Sequence, residues 1–467
     1  MAREVNSTLS TLRIAALGVV LLASGAFAAD RPNIVYLLAA DLGARDLGFR
    51  GGTVRTPTLD AMAAGGAILN AFYVQPYSSQ TRAALLTGRY PMRYGLQSLS
   101  ITRASGYGLP PEERTLAQAL KDEGYRTAFV GDWLLGHARP EYWPTRRGFD
   151  MFYGSLAGTS ESSIHKATKT DWRRGDKAVN HTGYVTQLLA TEAVRIIERH
   201  EPSSPLFLMV SFNAPARYQD VPPALRESYS DIASDSRRNY AAAVTALDSA
   251  VGEIVTALER RKLLDNTLIV FHSDNGGALP TRYPTGDRDV RNPAADNGSL
   301  REGHGSLYEG AMRIPSIVSW RGRIVPKTIV TDPLHVTDLH ATLLRLAGAT
   351  ADPARPLDGV DVWPVITERQ LSTRKDMLLD VEDFRGAIRA GEWKLIVHAA
   401  LPAKVELFDI ANDPEEAENK AATYPDRVSD LLGRLNAYAY DMAPSLYLEA
   451  LAPAVSPALW RANPRRR

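Results

Sequence analysis

Unbroken apolar runs punctuate the chain at wide intervals and alternate with stretches of helical periodicity. Asn33 to Ala39, Thr127 to Val130, Leu206 to Phe212 and Leu268 to Phe271 are short, rich in branched and aromatic residues, and without polar alternation. That is the pattern of strands buried on both faces. Between them, Tyr184 to Arg199 and Tyr240 to Arg260 place apolar residues three and four apart, as amphipathic helices do. Strands alternating with helices predict an α/β domain with a large, mostly parallel sheet flanked by helices. The character changes after Leu357. Ala387-Ile388-Arg389, Trp393 to Val397 and Val405 to Phe408 predict short antiparallel strands, and Asp426 to Tyr440 a closing helix. The expected organisation is a main domain over 29–374 and a smaller α+β subdomain over 375–467.

Composition narrows the function. The 467 residues carry 54 Lys plus Arg against 53 Asp plus Glu, a balance unlike that of a nucleic-acid binder or a polybasic membrane protein. There is no cysteine, which removes disulfides, thiolate metal sites and cysteine nucleophiles. At the amino terminus, Arg3 and Arg13 precede the apolar run Ile14 to Ala23 and a small-residue site at Ala26-Phe27-Ala28. Residues 1–28 therefore predict a cleaved signal peptide and a periplasmic or secreted protein. No other segment is expected to cross a membrane.

Two of the predicted strands run into hard oxygen ligands: Asp41 after the first, and Asp274-Asn275-Gly276-Gly277 after the last. Ligands of open α/β sheets bind at the carboxyl ends of strands, and carboxylate plus amide oxygen suits Ca²⁺ or Mg²⁺. Taken alone, Asp274 and Asn275 read better as residues that merely cap a turn before two glycines. A third feature is Ser78-Ser79-Gln80-Thr81-Arg82, a hydroxyl-rich start to a helical run. It would set a hydroxyl and free N–H groups at a helix N-terminus, an anion-friendly place, or be an ordinary cap.

Taken in order, these features resemble the sulfatases, the arylsulfatase branch of the alkaline phosphatase superfamily. The resemblance runs through RPNIVYLLAADLG (Arg31 to Gly43), RTPTLD (Arg55 to Asp60) and TRAALLTGRYPMRYG (Thr81 to Gly95). It continues in PTRRGFD (Pro144 to Asp150), HSDNGG (His272 to Gly277), GSLYEGAMRIP (Gly305 to Pro315) and LDGVDVWP (Leu357 to Pro364). AGEWKLI and ELFDIANDPEE in the carboxyl-terminal region complete it. The resemblance implies an alkaline phosphatase-like fold and hydrolysis of sulfate esters. It also implies a Ca²⁺ held by Asp41, Asp274 and Asn275, and catalytic positions at Ser78 and Arg82, with His304 as a further candidate.

The chain departs from that pattern where chemistry would occur. The family's C/S-x-P/A-x-R motif, whose first residue becomes formylglycine, reads Ser78-Ser79-Gln80-Thr81-Arg82, with Gln80 in place of the proline or alanine. Two aspartates expected at the end of the first strand read Ala40-Asp41. The expected G-K-W-H-L-G-H reads Gly131-Asp132-Trp133-Leu134-Leu135-Gly136-His137, N-A-P-H ends in Ala216, and the lysine before GSLYEG is His304. Removing one preorganised donor for developing charge costs roughly 10²–10³ in rate, so the resemblance carries an eroded site. The favoured expectation is an exported arylsulfatase-family protein that is weakly active or inactive. The alternative is an active arylsulfatase using modified Ser78 and bound Ca²⁺. A third is direct attack by Ser78 on a phosphate or phosphonate ester. Normal turnover would mean that other groups, such as His272 or His304, had taken over.

Overall fold

The computed structural model describes residues 31–158, 171–279, 294–399 and 402–455. The expected signal peptide, most of the Ala278 to Gly303 loop and the Arg465 to Arg467 tail lie outside them.

The four apolar runs form the centre of one ten-stranded sheet. Its order is Thr328–Val330, Ala67–Leu69, Ser316–Ser319, Thr267–Ser273, Asn33–Ala40, Leu206–Pro215, Arg126–Asp132, Met151–Ser155, Trp172–Arg174, Lys177–Ala178. The five strands from Thr267–Ser273 to Met151–Ser155 are parallel throughout. Antiparallel neighbours flank them on both sides, Ser316–Ser319 on one and Trp172–Arg174 with Lys177–Ala178 on the other. The sheet is therefore parallel at its core and mixed as a whole. Each central strand buries both faces, because helices cover the two sides: Ser78–Thr87, Leu116–Asp122 and Val336–Ala347 on one, Val185–Glu198 and Asp235–Arg260 on the other. That is why these strands read as unbroken apolar runs rather than alternating ones.

Asp235–Arg260 is the helix expected over Tyr240 to Arg260, begun five residues earlier. By length and composition alone it could cross a membrane. Here it lies against Leu206–Pro215 and Val185–Glu198, with Tyr240 through Leu258 supplying a buried face.

The carboxyl-terminal region forms a four-stranded antiparallel meander: Met377–Val381, Arg385–Ala390, Trp393–His398 and Lys404–Asp409. Here the alternation is real. Leu379, Ala387, Ile396 and Phe408 pack on Tyr73, Leu307 and Met312 of the main domain. Their neighbours Leu378, Ile388, Leu395 and Leu407 turn the other way, onto Leu431 and Leu435 of the helix Pro425–Tyr440. A second helix, Leu446–Val455, follows it and was not foreseen from the sequence.

Charge as well as oil joins the two parts. Lys394 is fully buried, with Nζ 3.0 Å from Glu309 Oε1 and 2.8 Å from Glu416 Oε1. Tyr73 donates to Glu309 Oε2 at 2.6 Å, and the Glu309 backbone N–H donates to Glu416 Oε2 at 2.6 Å. Burial raises the Glu416 carboxyl to about 7 against the pull of Lys394. Removing the lysine would strand two carboxyls in a dry interface. Lys394→Ala should cost about 3–5 kcal/mol in urea unfolding, whereas Arg321→Ala, at an exposed pair with Glu259, should cost under about 1 kcal/mol.

Candidate active site

Strand Asn33–Ala40 ends at the carboxyl edge of the sheet, and Asp41 follows it in the left-handed region, φ 56°. Asp is among the few non-glycine residues that adopt this conformation readily. The turn aims the Asp41 backbone N–H at Asp274 Oδ1, 3.0 Å away. Asp274 follows the neighbouring strand Thr267–Ser273, and its own N–H donates to the Ala39 carbonyl at 2.9 Å. Asn275 then donates through Nδ2 to Asp41 Oδ1 at 2.7 Å. Gly276 is required for this path, since a Cβ there would stand 1.7 Å from the Gly310 carbonyl oxygen. Asp274-Asn275-Gly276 is thus more than a capped turn.

The helix Ser78–Thr87 delivers its first residue to the same point. Ser78 Oγ donates to Asn275 Oδ1 at 3.2 Å. One turn on, Arg82 donates through one terminal nitrogen to Asp274 Oδ2 at 2.7 Å and to the Ser78 carbonyl at 3.0 Å. Its Nε and other terminal nitrogen both donate to Ser211 Oγ, at 3.2 and 2.9 Å. Arg82 is 1% exposed. All three guanidinium nitrogens are committed to protein oxygens.

His304 enters from the loop before Glu309–Met312. Its Nδ1 lies 3.4 Å from Asp41 Oδ1, and Nε2 has no hydrogen-bond partner among the described residues. Its ring meets Tyr77 edge-on at 5.6 Å. Arg385 of the small sheet holds this loop, donating to the Gly305 carbonyl at 2.8 Å while covering the Tyr77 ring at 5.6 Å. Ser78, Arg82, Asp41, Asp274, Asn275 and His304 are therefore brought together. His272 is set apart. Fully buried, its Nδ1 donates to the Ser273 carbonyl at 2.6 Å, so Nε2 accepts from the Tyr36 hydroxyl. Burial pushes its pKa down to about 4.

Positions that depart from the sulfatase pattern line the same edge. Ala216 donates its N–H to the Ala40 carbonyl at 3.0 Å, so the two alanines adjoin. Asp132 ends the strand Arg126–Asp132, and the Leu134 carbonyl accepts from Ser79 Oγ at 2.8 Å. Gln80 is fully buried and donates to the Gln97 carbonyl, so it serves the core. Sequence reasoning missed Ser211, Tyr77 and Arg385, which carry no local motif.

The oxygen donors suit a hard cation in kind. Asp41, Asp274 and Asn275 offer carboxylate and amide oxygens around Ser78, but no three carboxylate or imidazole side chains among the described residues gather closely enough to hold an ion. Asp274 also shares its charge with Arg82. Ca²⁺ prefers six to eight oxygens, so water would supply most of them.

Residues 32–349 match the family model described as Sulfatase, and residues 304–437 the one described as N-sulphoglucosamine sulphohydrolase, C-terminal. The chain belongs to the sulfatase family. Mouse Arylsulfatase J is 31% identical, the match covering 95% of this chain and 80% of that protein. Mouse N-acetylgalactosamine-6-sulfatase is 34% identical over 78% of this chain and 71% of the relative. The crystal structure of Ps i-CgsB in complex with k-i-k-neocarrahexaose superposes with a TM-score of 0.81 at 30% identity, covering 89% of this chain and 94% of that one. The phosphonate monoester hydrolase of Agrobacterium radiobacter shares the fold, with a TM-score of 0.64 at 20% identity over 88% of this chain and 96% of that one.

The buried imidazoles set an acid limit on stability. Unfolded histidine takes up a proton near 6.5, whereas folded His272 and His340 resist until about 4. Their contribution is complete above pH 6.5 and is lost as pH falls through that window. Each group accounts for roughly 3 kcal/mol by pH 4. Urea unfolding of His272→Gln at pH 7 and pH 4.5 should show a smaller acid loss than the parent chain.

Proposed function

We propose that this chain is an exported sulfatase-family protein that turns over sulfate esters far more slowly than its active relatives. One observation carries the reading: Arg82, the cation beside Ser78, already commits four of its five N–H donors to Asp274, Ser211 and the Ser78 carbonyl. A sulfate arriving there would need other cations or hydrogen-bond donors. Positions 132, 134, 216 and 304 supply a carboxylate, two apolar side chains and a histidine held toward Asp41. Preorganised donors aimed at developing charge are usually the largest catalytic term, and the arrangement provides few.

Ser78 is poorly placed for direct attack. The side-chain partner of its Oγ is an amide oxygen, which cannot take the proton that an alkoxide must lose. His304 faces Asp41 instead. Conversion of Ser78 to formylglycine would supply a second hydroxyl on hydration. The serine begins a helix and is partly accessible, but Gln80 occupies the position where the modified motif carries proline or alanine.

Asp41, Asp274 and Asn275 are the residues that would hold Ca²⁺, with weakened affinity because Ala40 offers no oxygen. When bound, the ion would polarise a sulfate oxygen and help orient the ester. The substrate class we favour is a sulfated saccharide, as with the N-acetylgalactosamine-6-sulfatase relatives and the neocarrahexaose complex. Export follows from the amino-terminal sequence pattern.

With Ca²⁺ and a formylglycine-generating partner, aryl sulfate hydrolysis should run at least about a thousandfold below an active relative. Mass analysis of the Ser78 peptide should show unmodified serine. Normal turnover, or loss of two hydrogens at Ser78 accompanied by turnover, would overturn the proposal. Calorimetric Ca²⁺ titration should give weak binding that Asp41→Asn weakens further.

A further inference from the structure

A cleft of about 430 Å³ opens where the loop after Asp41 meets the segment leading to His304. Arg45, Arg50 and Arg313 line it, and no carboxylate does among the described lining residues. Asn70 brings two of the cations together: its side-chain oxygen accepts from Arg50, and its backbone carbonyl accepts from Arg313 Nε at 3.1 Å. Arg313 has a distant counter-charge in Glu309, 3.7 Å away. Arg50 has none among the described residues, and burial together with the charge of Arg313 holds its guanidinium below the usual range. Arg45 is exposed, forms no ion pair among the described residues, and lies against Gly298, where a Cβ would stand 3.4 Å from its Cδ. Phe49 adds an apolar wall.

Of the three guanidiniums only Arg313 has a carboxylate within 4 Å among the described residues, so the opening attracts a negative group. Planar guanidiniums match tetrahedral oxyanions through paired N–H donors, and an aromatic wall suits the carbon face of a sugar. The volume lies within the range of small-molecule sites. Arg45 lies four residues after Asp41, so the two Cα atoms are at most about 14 Å apart.

We propose that this cleft is a subsite for a second sulfate group on a polysulfated saccharide whose first sulfate lies near Ser78. The identity of the carrier rests on the saccharide reading above; the demand for an oxyanion rests on the three arginines alone. One set of calorimetric titrations separates the two. The full-length protein is titrated with a disulfated disaccharide, its monosulfated counterpart, inorganic sulfate and inorganic phosphate, and the series is repeated on the double variant Arg45→Ala, Arg50→Gln. The disulfated ligand should bind at least about tenfold tighter than the monosulfated one, as loss of one charged hydrogen-bonding contact implies. The variant should abolish that gap, and unchanged thermal unfolding would show that its fold is intact. Arg45→Ala alone, at an exposed side chain, provides the comparison if the double variant is unstable. A gap that disappears in the variant supports the subsite even when no ester is hydrolysed. Equal affinities in the parent chain, or a gap that survives in the variant, would overturn it. Binding of inorganic sulfate or phosphate without binding of either saccharide would also overturn it and assign the cleft to a free oxyanion.

Discussion

The buried pair between Arg82 and Asp274 fixes the geometry of the site. It joins the start of one helix to the end of one strand at 2.7 Å, with the two side chains 1% and 0% exposed. Two charges so far from water are tolerable only when mutually paired and further hydrogen-bonded. Ser211 and the Ser78 carbonyl meet that need on one side, and the Asp41 N–H on the other. Ser78 is thereby held on Asn275, and Asn275 on Asp41. The order of the site and the scarcity of free donors among its described residues have the same cause, because the group that organises the cluster has most of its N–H donors committed.

The small sheet takes part in this arrangement. Its strand Arg385–Ala390 sends Arg385 to the Gly305 carbonyl and across Tyr77, and Tyr77 borders His304. Lys394 of the next strand anchors Glu309 a few residues further along the same segment. The loop bearing His304 is thus held from the second layer of the protein, and the meander behaves as a bracket for one wall of the site rather than as an appendage.

Much of this was legible in the chain, for definable reasons. The four central strands bury both faces, so hydrophobicity alone reveals them. Ala67–Leu69, Ser316–Ser319 and Trp172–Arg174 are short edge or near-edge strands that exist because a neighbour is available, and no local pattern marks them. Met377–Val381 was missed for the same reason. Asp41, Asp274 and Asn275 could be read because strand ends are where such sheets place ligands, and Ser78 with Arg82 because one helical turn separates them. Ser211 lies far from Arg82 in sequence and is an ordinary strand residue until the fold brings them together. His272 shows the converse. A histidine beside Asp274 looked available for chemistry, yet the strand turns it into the core, onto the Tyr36 hydroxyl.

The contact between Ala216 and Ala40 bears on history as much as on chemistry. Two methyl-bearing residues now adjoin where the wider pattern sets an acid and an imidazole. Returning aspartate to position 40 by itself would place a third carboxylate beside Asp41 and Asp274, with Arg82 already committed and the lysine once expected at 132 replaced by another acid. Without a bound cation, such a lone reversion adds repulsion; only with Ca²⁺ in place would its oxygen contribute. On the reading proposed above, loss from such a charged cluster would work as a ratchet: without a bound cation, each loss makes the remaining partners harder to reinstate singly. A lineage, or an experimenter, could climb back only by changing opposite charges in the same step.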